Sequence, residues 1–168
     1  MLRKTLLATL CAGALISVPA FAAAPKELQS EQGTLEVTTI TAGLEHPWAL
    51  AFLPDRQGML VTERAGRLRR IAADGSVSAP FTGLPEIFVD GQAGLLDVAL
   101  SPGYLQDGWV YLAFAEPNFR GNKAGTAVVR GKLQGDALVE STVVYRQEPK
   151  LSHGTHVGAR LVFDDQGN

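Results

Sequence analysis

The chain has 168 residues, 46% of them hydrophobic and 19% charged, with 15 basic against 17 acidic side chains. This composition excludes a disordered, collagen-like or coiled-coil chain, and a formal charge of −2 lacks the basic excess of a nucleic-acid binder. A single cysteine, Cys11, excludes a disulfide scaffold and a cysteine-based zinc site.

The chain opens with the three parts of a secretory signal peptide: basic Met1-Leu2-Arg3-Lys4, an almost wholly apolar run from Leu6 to Val18, and the small-x-small Ala20-Phe21-Ala22. The apolar run is shorter than the roughly 20 residues that span a bilayer. Leu10, where a small residue would be needed, argues against a lipid anchor on Cys11. We therefore assign 1–23 to a signal peptide and 24–168 to an exported chain, in the periplasm or secreted. Loss of Arg3 and Lys4 leaves 15 − 2 = 13 basic against 17 acidic side chains, a charge of −4, and removes the only cysteine.

Short β-rich runs separated by Gly, Pro, Asn and Asp follow, with little helical periodicity, which predicts an all-β fold. The expected strands are Leu35–Thr41, Trp48–Leu53, Met59–Glu63, Leu68–Ala72, Leu95–Ser101, Val110–Ala115, Ala127–Lys132, Thr142–Arg146 and Ala159–Phe163, with Trp48 as a core anchor. A strand, a Pro/Asp turn and a second strand recur at Trp48–Glu63 and at Leu96–Phe114, and Arg160–Gly167 begins the pattern again. Phe52 and Leu100 are 100 − 52 = 48 residues apart. A unit near that size with about four strands matches one β-propeller blade, of which about three fit; the alternative is a β-sandwich whose hairpins look alike. Asp164-Asp165-Gln166-Gly167-Asn168 reads as a hairpin turn without its second strand, and we expect the sequence to be a fragment of a longer ring.

Two loops carry candidate chemistry. His153 and His156 lie in Leu151-Ser152-His153-Gly154-Thr155-His156-Val157-Gly158, which suits a general base, a metal site or a solvated loop; spacing alone does not choose among them. In Asp90-Gly91-Gln92-Ala93-Gly94-Leu95, two glycines bracket an amide that can both donate and accept, which suits a ligand carbonyl or carboxylate or a tight turn. It is no phosphate loop, because it lacks the Lys-Ser/Thr ending and a following helix. His46, beside Pro47, reads as structural.

Four segments in order, His46-Pro47-Trp48-Ala49-Leu50-Ala51-Phe52, Thr62-Glu63-Arg64-Ala65-Gly66-Arg67-Leu68, Gly91-Gln92-Ala93-Gly94-Leu95-Leu96-Asp97-Val98-Ala99 and His156-Val157-Gly158-Ala159-Arg160-Leu161-Val162-Phe163, resemble the soluble quinoprotein aldose dehydrogenases. This is the glucose/sorbosone dehydrogenase family, which uses pyrroloquinoline quinone (PQQ). The resemblance implies a six-bladed β-propeller, with about the first three blades present, and PQQ-dependent oxidation of aldoses to lactones. It implies that His156 is the catalytic base taking the proton of the anomeric hydroxyl, and that Gln92 and Thr155 lie at the cofactor. Histidine is the side chain that changes charge near neutral pH, as such a base requires. Arg160 also matches, as a structural ion-pair partner. Some members carry an acid just before the histidine, where this chain has Thr155; threonine orients by hydrogen bonding but does not raise imidazole basicity as a carboxylate does. No metal ligand is assigned here, and the Ca²⁺ ligands and further PQQ contacts are expected beyond residue 168. The implied partners are an aldose sugar and an electron acceptor that the sequence does not name. The alternative readings are a non-catalytic propeller that binds sugar or protein and, less favoured, a metal-dependent lactonase, which would want acidic ligands where this chain offers Gln and His.

Overall fold

A computed structural model describes residues 25–152, 154–158 and 160–168. The signal segment 1–23, His153 and Ala159 lie outside the described residues. Two compact units divide at Thr39. The first holds the antiparallel hairpin of β1 (Lys26–Ser30) and β2 (Gly33–Val37), whose side chains are exposed on both faces. No described helix is long and apolar enough to cross a membrane.

The second unit is built of two antiparallel sheets, and the chain is all-β, part of a β-propeller. β3 (Pro47–Phe52), β4 (Met59–Glu63) and β5 (Arg67–Ile71) form one sheet in that order. β6 (Leu95–Leu100), β7 (Trp109–Pro117), β8 (Ala124–Gln134) and β9 (Ala137–Arg146) form the other, a four-stranded up-and-down sheet of blade type. β3 and β4 lie against β6. The apolar residues at alternating strand positions meet between the sheets: Leu60, Leu68, Leu95, Val98, Val110, Leu112, Phe114 and Val129 are all buried in one cluster. Thr62, fully buried, donates its hydroxyl to the carbonyl of Leu96 and so links the two sheets directly.

The repeat seen in the sequence is also a repeat of irregularities. β3 and β6 each begin with a register shift, between Pro47 and Ala49 and between Leu95 and Val98. Their first residues are 95 − 47 = 48 apart, the same interval as Phe52 to Leu100. A bulge re-aims the side chains next to it, and here those include Asp97 of β6, which follows the Gln92 loop.

Two expectations change, and one short element is added. Trp48 is no core anchor: it is 43% exposed on the edge strand β3, where no described strand covers it. Residues 160–163 form no strand; the Leu161 N–H donates to the Asp97 carboxylate, at 2.6 Å, rather than to a ladder. Phe163 nevertheless packs edge-on against Tyr111 of β7, centroids 5.1 Å apart. A short helix, α1 (Tyr104–Asp107), follows the Ser101-Pro102-Gly103 turn; Asp107 ties it to the sheet by accepting from Ser101 Oγ at 2.6 Å and Trp109 N at 2.9 Å.

Candidate functional site

The loops at one end of the two sheets are assembled around a buried carboxylate. Glu63, the last residue of β4, is 1% exposed and accepts from the backbone N–H of Glu45, from Arg67 Nε at 2.7 Å and from Arg69 Nη1 at 3.3 Å. Burial alone would raise its pKa, but the hydrogen bonds and the two guanidinium charges outweigh burial and hold it below the ordinary value. This net fixes the β4–β5 turn and, through Glu45, the segment that carries His46.

Arg64, in that turn, is the hub of the next layer. Its N–H donates to His46 O at 3.0 Å, its carbonyl accepts from Leu95 N at 3.1 Å, and its guanidinium Nη1 donates to Gly91 O. The approach of the Gln92 loop requires glycine at 94, since a Cβ there would overlap the Arg64 carbonyl. The Gln92 loop is in turn bonded to the histidine loop. Gly154 O accepts from Gln92 N at 2.8 Å and from Ala93 N at 3.1 Å. Gly154 is buried, and a Cβ on it would overlap Asp90 O. Gln92 Oε1 then accepts the backbone N–H of His156 at 3.1 Å.

The histidine loop rests on small side chains. Val157 packs on Ala93, Ala115 and Ala124, and Leu151 exchanges backbone hydrogen bonds of 2.8 Å with Ala124. On its far side, the Asp97 carboxylate, 1% exposed, receives Leu161 N and Arg160 Nη1, the latter at 3.0 Å. Arg160 is thus an ion-pair partner, as its place in the sequence suggested. His156 has φ of 56°, a left-handed conformation that costs a non-glycine residue about 1 kcal/mol. Such strain is held where surrounding contacts over-determine it, commonly at functional sites.

All four sequence segments therefore meet through one path of hydrogen bonds, from His46 to Arg64, to the Gln92 loop, to His156. Gln92, Thr155 and His156 are brought together, and all three are exposed to incoming molecules. Gln92 is held at its carbonyl end, and its Nε2 makes no hydrogen bond among the described residues, which leaves a donor for a ligand. With the Arg64 guanidinium close by, the donor set fits an anionic, carbonyl-bearing cofactor such as PQQ. No group of three or more His, Cys, Asp or Glu among the described residues is arranged to hold a metal ion. His46 contributes its backbone carbonyl, in keeping with a structural role. Sequence reasoning passed over Glu63, Arg64 and Asp97. The one signal available was their place inside the ordered segments, as charged residues at the ends of apolar strands.

The family model described as glucose/sorbosone dehydrogenase matches residues 44–168. The chain is 46% identical over 142 residues to the aldose sugar dehydrogenase YliI of Escherichia coli (strain K12), covering 83% of this chain and 38% of that protein. A crystal structure of a glucose dehydrogenase superposes with a TM-score of 0.71 at 51% identity, covering 74% of this chain and 37% of that one. The PQQ-bound form of an aldose sugar dehydrogenase from Streptomyces coelicolor superposes with a TM-score of 0.56 at 29% identity, over 78% of this chain and 36% of that one. The chain thus spans less than two fifths of the length of these relatives.

Proposed function

The chain belongs to the glucose/sorbosone dehydrogenase family, and from that premise we propose that it carries the His156–Gln92 part of the active site of an exported, PQQ-dependent aldose dehydrogenase. The hydrogen bond from His156 N to Gln92 Oε1, at 3.1 Å across 64 residues of sequence, carries the reading. It joins the two loops singled out by their chemistry, and it orients the Gln92 side chain against the His156 backbone.

In this reading the His156 imidazole accepts the proton of the aldose's anomeric hydroxyl as the anomeric C–H bond breaks and the lactone carbonyl forms. Gln92 spends its carbonyl on the His156 loop and offers its amide N–H groups to the cofactor. The Thr155 hydroxyl flanks the same ligand. Asp97, through Arg160 and Leu161, holds the downstream end of the histidine loop. PQQ, when bound, supplies the two-electron sink for the hydride that leaves the anomeric carbon. Calcium belongs to the proposal as a second cofactor, with its ligands among residues other than those described. Residues 1–23 direct export to the periplasm or beyond.

The test is reconstitution of the full-length protein with PQQ and Ca²⁺, followed by dye reduction with a panel of aldoses. Reduction that requires both PQQ and an aldose is expected. A protein that binds aldose but turns none over would support the non-catalytic binding module instead.

A further inference from the structure

We infer that Arg64 is a positioning residue of this site: it fixes the Gln92 loop and places there an uncompensated positive charge for an anionic ligand. The identity of that ligand as PQQ rests on the reading above; the positioning role rests on geometry alone. Arg64 holds His46 and Leu95 through its backbone and the Gly91 carbonyl through Nη1. Gly91 precedes Gln92, so one guanidinium sets where the amide of Gln92 stands.

Arg67 and Arg69 pair with Glu63, Arg146 and Lys150 with Glu116, and Arg160 with Asp97. Arg64 pairs with no carboxylate among the described residues, including Asp90 of the loop it holds. Of the half-buried arginines, Arg70 and Arg130 also pair with no carboxylate among the described residues, but each lies over an aromatic ring, Phe81 and Trp109. It is half-buried, and its guanidinium makes one hydrogen bond among the described residues out of the five N–H groups it owns. A planar fork with unused donors, beside an open amide, suits a carboxylate of the ligand.

The test compares the full-length wild type with Arg64→Gln and Arg64→Lys. PQQ affinity is measured by direct titration at several salt concentrations, and hydrogen exchange at residues 90–95 is measured without PQQ. Arg64→Gln is expected to raise the dissociation constant about tenfold, the scale of one charge-assisted hydrogen bond. It should flatten the salt dependence and speed exchange of the loop. Arg64→Lys is expected to keep the wild-type salt dependence and bind within about threefold, because charge survives while the fork geometry is lost. Loss of side-chain packing alone would not change the salt dependence. Wild-type affinity and salt dependence in Arg64→Gln would overturn the inference; if that variant does not fold, loss of the salt dependence in Arg64→Lys would do so. Should the wild type fail to bind PQQ, the cofactor reading falls, and exchange decides positioning: faster in Arg64→Gln and restored in Arg64→Lys upholds it, unchanged in Arg64→Gln overturns it.

Discussion

Gln92 does two jobs with two ends of one amide. Its oxygen accepts the His156 backbone N–H, and in the proposed site its donor end serves the ligand. Replacing it with glutamate keeps an acceptor for His156 N but puts a negative charge where a donor stood. Gln92→Glu is therefore expected to weaken PQQ binding by about tenfold or more in a direct titration, with the thermal midpoint nearly unchanged. Gly94→Ala acts on the same loop by a different route, since the new Cβ would overlap the Arg64 carbonyl. The loop must move, and the expected result is a loss of stability of about 1–3 kcal/mol by urea unfolding together with weaker PQQ binding. At this scale the sequence was informative about Gln92 and His156, whose residue types and flanking glycines stand out. It was silent about Arg64, whose guanidinium reaches a backbone carbonyl 27 residues away. No local pattern encodes such an approach.

Among the elements, the β4–β5 turn depends on Glu63. Its pKa is lowered on folding from an ordinary 4.5: burial raises it, but the Arg67 hydrogen bond, the Glu45 N–H and the charges of Arg67 and Arg69 prevail. A carboxylate depressed in the folded state contributes stability that is fully present above its unfolded pKa and lost as pH falls through the lower folded value. Unfolding in urea should therefore show Glu63→Gln destabilised by about 3 kcal/mol at neutral pH, as expected when a buried ion pair loses one partner. The variant should also lose less further stability than the wild type on acidification below about pH 4.5. An equal acid response in both proteins would remove Glu63 from the account. Most strands were legible from β-rich runs and turn residues, and β4 matches its expected bounds, Met59–Glu63. β1 was missed because Lys26–Ser30 has almost no apolar content, and α1 because four residues give no helical period. The expected strand at 159–163 is not formed over 160–163, where Arg160 and the Leu161 N–H are bound to the Asp97 carboxylate, a contact no local pattern encodes.

The whole molecule leaves apolar faces open. Leu50 and Phe52 on the edge strand β3 are 50% and 71% exposed. Tyr145 and Leu161 line a cleft of about 440 Å³ on the β7–β9 sheet. Unpaired edges and exposed apolar surface favour association. The chain of residues 24–168 expressed alone is accordingly expected to bind a hydrophobic dye and to melt without a cooperative transition; sharp cooperative melting would contradict this. The propeller class was legible because a strand–turn–strand pattern recurs at a 48-residue interval, which the bulges that begin β3 and β6 also keep. The convergence of four sequence segments on His156 was not, since it depends on how the sheets pack. In the proposed function His156 is the base of this site. The most direct measurement of that role is the rate of aldose-dependent dye reduction by the PQQ-loaded full-length protein, wild type against His156→Ala, at matched PQQ occupancy. A fall of about a hundredfold or more is expected with PQQ still bound; a variant that keeps a rate within a few-fold of wild type would rule His156 out as the base.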